Sequence, residues 1–221
     1  GNFEWESYAG ENNGYDDNIN DIQEVFNNQG DSKGYIVTGD NGYSDITYKI
    51  NSEGSVEWSK SYSADTFNSI RQTFNSKSGE TDGYIATGEN NNQNKIVKIK
   101  DNGDKDWTLE IGDSSYLDQG TEVEQVFKDD GSKNGYIISG VKNSIDGDED
   151  LSAIKIDDSG NIEWQLADST FGSNGDEADL FDGEVQTTTD EGYLVADPSE
   201  NDKDNFLYKF DKYGSYSWHH K

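Results

Sequence analysis

Side chains able to do chemistry are few in type here. The 221-residue chain has 46 acidic residues, 17 basic ones, two histidines and no cysteine. Without cysteine there are no disulfides, thiolate ligands or thiol nucleophiles. His219 and His220 are adjacent. In a strand their side chains face opposite sides, which suits neither a shared metal nor an acid–base pair. There is no Ser–His–Asp arrangement, no phosphate-cradling P-loop and no GxGxxG after a strand. The densest acidic run is DGDED, 146–150. Asp146, Asp148 and Asp150 alternate as in the first half of a calcium loop, where hard oxygen ligands gather around the ion. Leu151 stands where an EF-hand has glycine. Ca2+ at these three carboxylates is the only cofactor the residues suggest. DEADLFD, 176–182, is a second acidic cluster, and solvated loops are the simpler reading of both. Two carboxylates could also serve a glycosidase, but no pair is singled out, and that activity stays a distant alternative.

The net charge is −29. Phosphate backbones are bound by cationic side chains that release counterions, so nucleic acid is not an expected partner. Anionic membrane surfaces are disfavoured by the same sign, and no apolar run is long enough to insert. Such a surface suits high salt, divalent cations or solubility. Apolar residues make up only 30%, near disordered composition, yet aromatics reach 12% and are regularly spaced. With no methionine and a glycine at position 1, the expectation is a mature, exported chain at the cell surface or outside the cell.

The spacing reveals the elements. Tryptophans fall at 5, 58, 107, 164 and 218, in steps of 53, 49, 57 and 54. Each of the last four closes a ten-residue frame: KINSEGSVEW (49–58), KIKDNGDKDW (98–107), KIDDSGNIEW (155–164) and KFDKYGSYSW (209–218). GNFEW (1–5) is a headless copy. A second phrase recurs as GYIVTG (34–39), GYIATG (83–88), GYIISG (135–140) and GYLVAD (192–197). A third is IQEVF (22–26), IRQTF (70–74), VEQVF (123–127) and, more weakly, EVQTT (184–188). Each phrase reads as a strand, rich in β-branched and aromatic residues. The turns NSEG, KDNG, DDSG and DKYG make each Lys-to-Trp frame a hairpin. Apolar residues on both faces of the GYI strand predict a sheet covered on both sides. A period near 50 with four antiparallel strands predicts blades of a β-propeller-like array, with β-solenoid coils as the runner-up.

KIDDSGNIEW resembles the tryptophan-docking motif of quinoprotein-type β-propellers. There an Asp opens the turn, a Gly closes it, and a Trp four residues later packs on the neighbouring blade. Asp157, Gly160 and Trp164 match, as do Asp211, Gly214 and Trp218; Asn51 and Lys100 replace the Asp in the other two frames. The motif's Ala and Thr are absent. The phrases are also similar to secreted bacterial and archaeal repeat proteins. The resemblance implies a propeller in which Trp5, Trp58, Trp107, Trp164 and Trp218 are inter-blade pegs. Quinone catalysis is not implied, because those enzymes carry adjacent cysteines and twice the blades.

The chain reads as one repeat domain, 1–221, with units at 1–53, 54–102, 103–159 and 160–213 and a partial unit at 214–221. Four blades, approximately 19–61, 68–110, 121–166 and 183–220, use four Trp strands, and GNFEW is left over. Three explanations stay open: the array continues, a partial fifth blade closes a ring, or a terminal strand completes another subunit. The expected function is non-enzymatic: an exported structural protein assembling with itself into a filament, surface layer or matrix. Phe3, Trp5 and Trp218 are its candidate assembly residues. The alternative is a lectin- or adhesin-like propeller binding glycans or proteins.

Overall fold

The recurring phrases each become a strand. In a computed structural model, the described residues are 5–6, 17–77, 79–143, 149–167, 184–198 and 205–220. They form sixteen strands in four antiparallel four-stranded sheets, each in sequence order, and no helix. The first sheet holds β1 (Asn18–Phe26), β2 (Ser32–Asp40), β3 (Asp45–Ile50) and β4 (Val56–Lys60). The second holds β5 (Thr66–Phe74), β6 (Thr81–Asn90), β7 (Gln93–Ile99) and β8 (Lys105–Ile111). The third holds β9 (Asp118–Phe127), β10 (Lys133–Asn143), β11 (Glu149–Ile156) and β12 (Ile162–Ala167). The fourth holds β13 (Val185–Thr187), β14 (Tyr193–Pro198), β15 (Asn205–Phe210) and β16 (Tyr216–His220). The weakest phrase, EVQTT, gives the shortest strand, β13.

The register explains the ten-residue frame. Lys and Trp are cross-strand partners in every hairpin: Lys49 with Trp58, Lys98 with Trp107, Lys155 with Trp164 and Lys209 with Trp218. The same row continues to Ile36, Ile85, Ile137 and Leu194 on the GYI strands.

Sheets stack face to face, first on second, second on third, third on fourth. The first and fourth share no strand contact of comparable extent. Alternation along the GYI strand divides its side chains between two interfaces. Tyr84 and Ala86 face Ile36 and Val25 of the first sheet, while Ile85 joins Val123, Tyr136 and Ile138 of the third. Burying an isoleucine contributes roughly 1.5–3 kcal/mol, so a chain with few apolar residues concentrates them at these interfaces.

A polar bridge accompanies the packing. The Gln72 side chain accepts from Phe26 N (3.0 Å) and donates to Phe26 O (2.8 Å). Gln125 makes the same pair of bonds to Phe74, both at 2.8 Å. Each glutamine therefore satisfies both backbone groups of a strand end in the preceding sheet. Glu24 stands at this position in β1 and is exposed. Replacing Gln72 by Ala should cost about 1–3 kcal/mol, because two partly buried backbone groups lose their partners. Urea unfolding measures this, and a change below about 0.5 kcal/mol would show that the bridge is dispensable.

Candidate functional site

The hairpin turn creates a seat for an indole ring. In three frames the first turn residue caps the turn with its side chain. Asn51 Oδ1 accepts from Glu53 N (3.0 Å) and Ser55 N (2.9 Å). Asp157 and Asp211 do the same within 2.9 Å. Lys100 offers no such oxygen, and Asn102 Oδ1 accepts from Asp104 N (3.0 Å) instead. The turn glycine has positive φ, from +78° to +84° in the four copies. Its bare Cα faces a tryptophan of the preceding unit. A Cβ would come within 2.7 Å of Trp5 at Gly54, 2.9 Å of Trp58 at Gly103, 3.1 Å of Trp107 at Gly160 and 2.7 Å of Trp164 at Gly214. Glycine is thus required twice, for the backbone and for the ring.

The tyrosine of the GYI strand forms the seat's other wall. Ring centroids lie 5.8 Å apart for Trp5 and Tyr35, 6.1 Å for Trp58 and Tyr84, 6.2 Å for Trp107 and Tyr136, and 5.5 Å for Trp164 and Tyr193. All four pairs are tilted or edge-on, the favoured aromatic geometries. Trp164 also donates its indole N–H to Lys212 O at 3.2 Å.

The sequence placed the odd tryptophan at the head of the chain; the structure moves it to the tail. Trp5 sits half-buried in the first sheet's own seat and packs with Tyr35 and Ile46 against Val37, Tyr48 and Ile50. Trp218 follows the last seat and remains 45% exposed beside exposed Tyr216. Phe3 lies outside the described residues.

The repeated lysine supports the hairpin rather than a ligand. All four hairpins slip register between the lysine and the next residue. Such a bulge disrupts the ladder locally. The lysine Nζ, almost fully buried, donates to the carbonyl of that next residue: Ile50 (3.1 Å), Ile99 (3.4 Å), Ile156 (3.0 Å) and Phe210 (3.1 Å). A second bond reaches Lys33 O, Asp82 O or Asn134 O, just before the GYI glycine, and Thr188 Oγ1 in the fourth sheet. Glu57, Glu163 and Asp190 add ion pairs at 3.1, 2.7 and 3.0 Å. Burial holds the Lys98 and Lys155 amines below the ordinary lysine range.

The chain's sole arginine gathers the acids that sequence reasoning missed. Arg71 on β5 pairs with Asp21 of β1 and with Glu122 (2.6 Å) and Glu124 (3.6 Å) of β9. The first strands of consecutive sheets run beside each other, so one guanidinium links three sheets. Burial pushes the Glu122 carboxyl up to about 7, against the pull of Arg71 and with help from Asp21 and Glu124. Glu124 is raised by burial too. The one signal in the sequence is that Arg71 is the only arginine; its acidic partners lie some fifty residues away on either side.

Of the three calcium candidates, Asp146 and Asp148 lie outside the described residues. The backbone of Asp150 belongs to β11, in register with Lys142. Among the described residues no group of three or more acidic, His or Cys side chains is arranged to hold a metal. No helix among them is long and apolar enough to cross a membrane. The chain matches no family model and no curated protein.

Two outcomes are expected. Trp107→Ala should cost about 2–4 kcal/mol, whereas Trp218→Ala should cost under about 1 kcal/mol, as measured by urea unfolding. Equal costs would contradict the unseated state of Trp218. Glu122 has a folded-state value of about 7 against 4.5 for the free side chain. The folded state therefore binds more protons between these values, and stability falls as pH rises through that window. Glu122→Gln should flatten this slope between pH 5 and 8, removing roughly 2 kcal/mol of pH dependence. An unchanged slope would exclude Glu122 as its source.

Proposed function

We propose that the chain is an open, propeller-like arc of four blades serving as a non-enzymatic structural module, exported to the cell surface or beyond. Copies of it assemble through their terminal blades. One observation carries the reading: four of the five tryptophans occupy seats, and the fifth, Trp218, is 45% exposed on the outer strand of the last sheet. An aromatic peg repeated at every internal interface is left over at one end. A catalytic reading draws less support. Glu122, whose carboxyl burial pushes up to about 7, and its neighbour Asp21 are both held by Arg71.

The glycan-binding alternative has its own observation. Clefts of about 270 and 220 Å³ lie at corresponding places between the first and second and between the third and fourth sheets. Lys33, Gln72, Tyr84 and Asp101 line one; Lys128, Asp129, Thr188 and Glu191 line the other. Their chemistries differ, which weighs against one ligand bound repeatedly.

Assembly of so acidic a chain must overcome like-charge repulsion, which about 1 M salt screens to a length of about 3 Å. In sedimentation, wild-type protein should associate more strongly with concentration and salt, while Trp218→Glu stays monomeric with unchanged unfolding. If the two sediment alike at every concentration and salt, the assembly reading fails.

A further inference from the structure

The acceptor face for Trp218 can be located, and it is occupied. Inside the chain, each internal interface has two parts. The outer part is the seat, where an indole meets the turn glycine and the GYI tyrosine. The inner part is a bulky residue on the first strand of the receiving sheet: Ile70 in the second sheet and Val123 in the third, both fully buried. At the first sheet these parts separate. Its seat, Tyr35 and Gly54, holds Trp5. Its inner residue, Ile22, is 57% exposed, and Ile19, which aligns with fully buried Phe67, is 65% exposed.

We infer that Trp5 is a removable stand-in: it closes the first seat within its own chain until the last sheet of a second copy displaces it, inserting Trp218 and covering Ile19 and Ile22. The inference rests on the assembly reading above and supplies its acceptor surface. The occupant is a second copy because Trp218 stands in the same register with its hairpin lysine as the three tryptophans that fill the internal seats. The competition has a defined direction. Trp5 has the advantage of being tethered, which corresponds to a high effective concentration. An incoming sheet has the advantage of area, because it covers the seat and the exposed isoleucines together, whereas Trp5 leaves Ile22 bare. Dilute protein therefore stays latched, and concentrated protein exchanges. The exchange is head-to-tail and does not close on itself, so it extends as a filament.

Sedimentation of wild type, Trp5→Ala, Trp5→Phe, Trp5→Ala with Trp218→Glu, and Trp5→Ala with Ile22→Glu tests this, with thermal unfolding as the check on folding. Trp5→Ala should associate at a concentration ~10-fold or more below wild type, reflecting the lost tethered competitor. Trp5→Phe keeps a ring in the seat and should fall between them. Both double variants should remain monomeric. If Trp5→Ala and Trp5→Phe associate at the wild-type concentration, the stand-in role is overturned while the assembly reading stands. If Trp5→Ala associates without Trp218, or with glutamate at position 22, the assigned faces are wrong. If no variant associates, the assembly reading falls and the inference with it.

Discussion

The indole on a turn glycine is the contact on which the rest of the molecule depends. A four-stranded sheet of this composition cannot bury enough apolar surface alone, because most of its side chains are polar. What it buries, it buries against its neighbours. The glycine with positive φ shapes the turn and also removes the Cβ that would block the ring. Neighbouring sheets are thus linked at the outer edge by an aromatic pair and near the middle by aliphatic rows, and the first three also at the inner strands by a glutamine bridge. Stability in such a stack is a sum of sheet and interface contributions, and the interfaces contribute most of the apolar share.

Charge is handled by separation. With a net charge of −29, most of the acids stay in water, and each buried frame lysine is held by at least two partners. The frame lysines work as backbone caps at a bulge, each Nζ held by the carbonyl just past the register slip and by a second oxygen beside it. Arg71 ties three sheets through Asp21 and through Glu122 and Glu124, the latter two made reluctant to ionise by burial. This explains how a chain with one arginine can order its inner strands despite the acids there: one cation is shared by Asp21, Glu122 and Glu124.

Much of the fold was legible because the repeat multiplied each signal. Four copies of a Lys-to-Trp frame fixed the hairpin, and the turn residues fixed its reversal. The role of the lysine as a cap was not legible, because it depends on a one-residue register slip that sequence spacing does not reveal. The Arg71 cluster was hidden for a different reason. Asp21, Arg71 and Glu122 are some fifty residues apart, and only the stacking of consecutive sheets puts them together. The glutamine bridge left a trace in the sequence, as Gln72 and Gln125 share a position that is Glu24 in the first unit. Its meaning required knowing that each bridge reaches backward.

The direction of docking changes what the odd tryptophan means. Counting strands alone, GNFEW is surplus, because four units already own four Trp strands. Counting seats reverses this. Each tryptophan serves the sheet after its own, so the first sheet needs one from outside its own hairpin, and Trp5 supplies it. Five tryptophans against four seats leave Trp218 over, and no rearrangement among the described sheets removes the imbalance. Filling one more seat from within would empty another. The last sheet can bury its indole only against a seat that another sheet provides, and the first sheet, with its seat held by Trp5 and with Ile19 and Ile22 exposed, is the proposed acceptor.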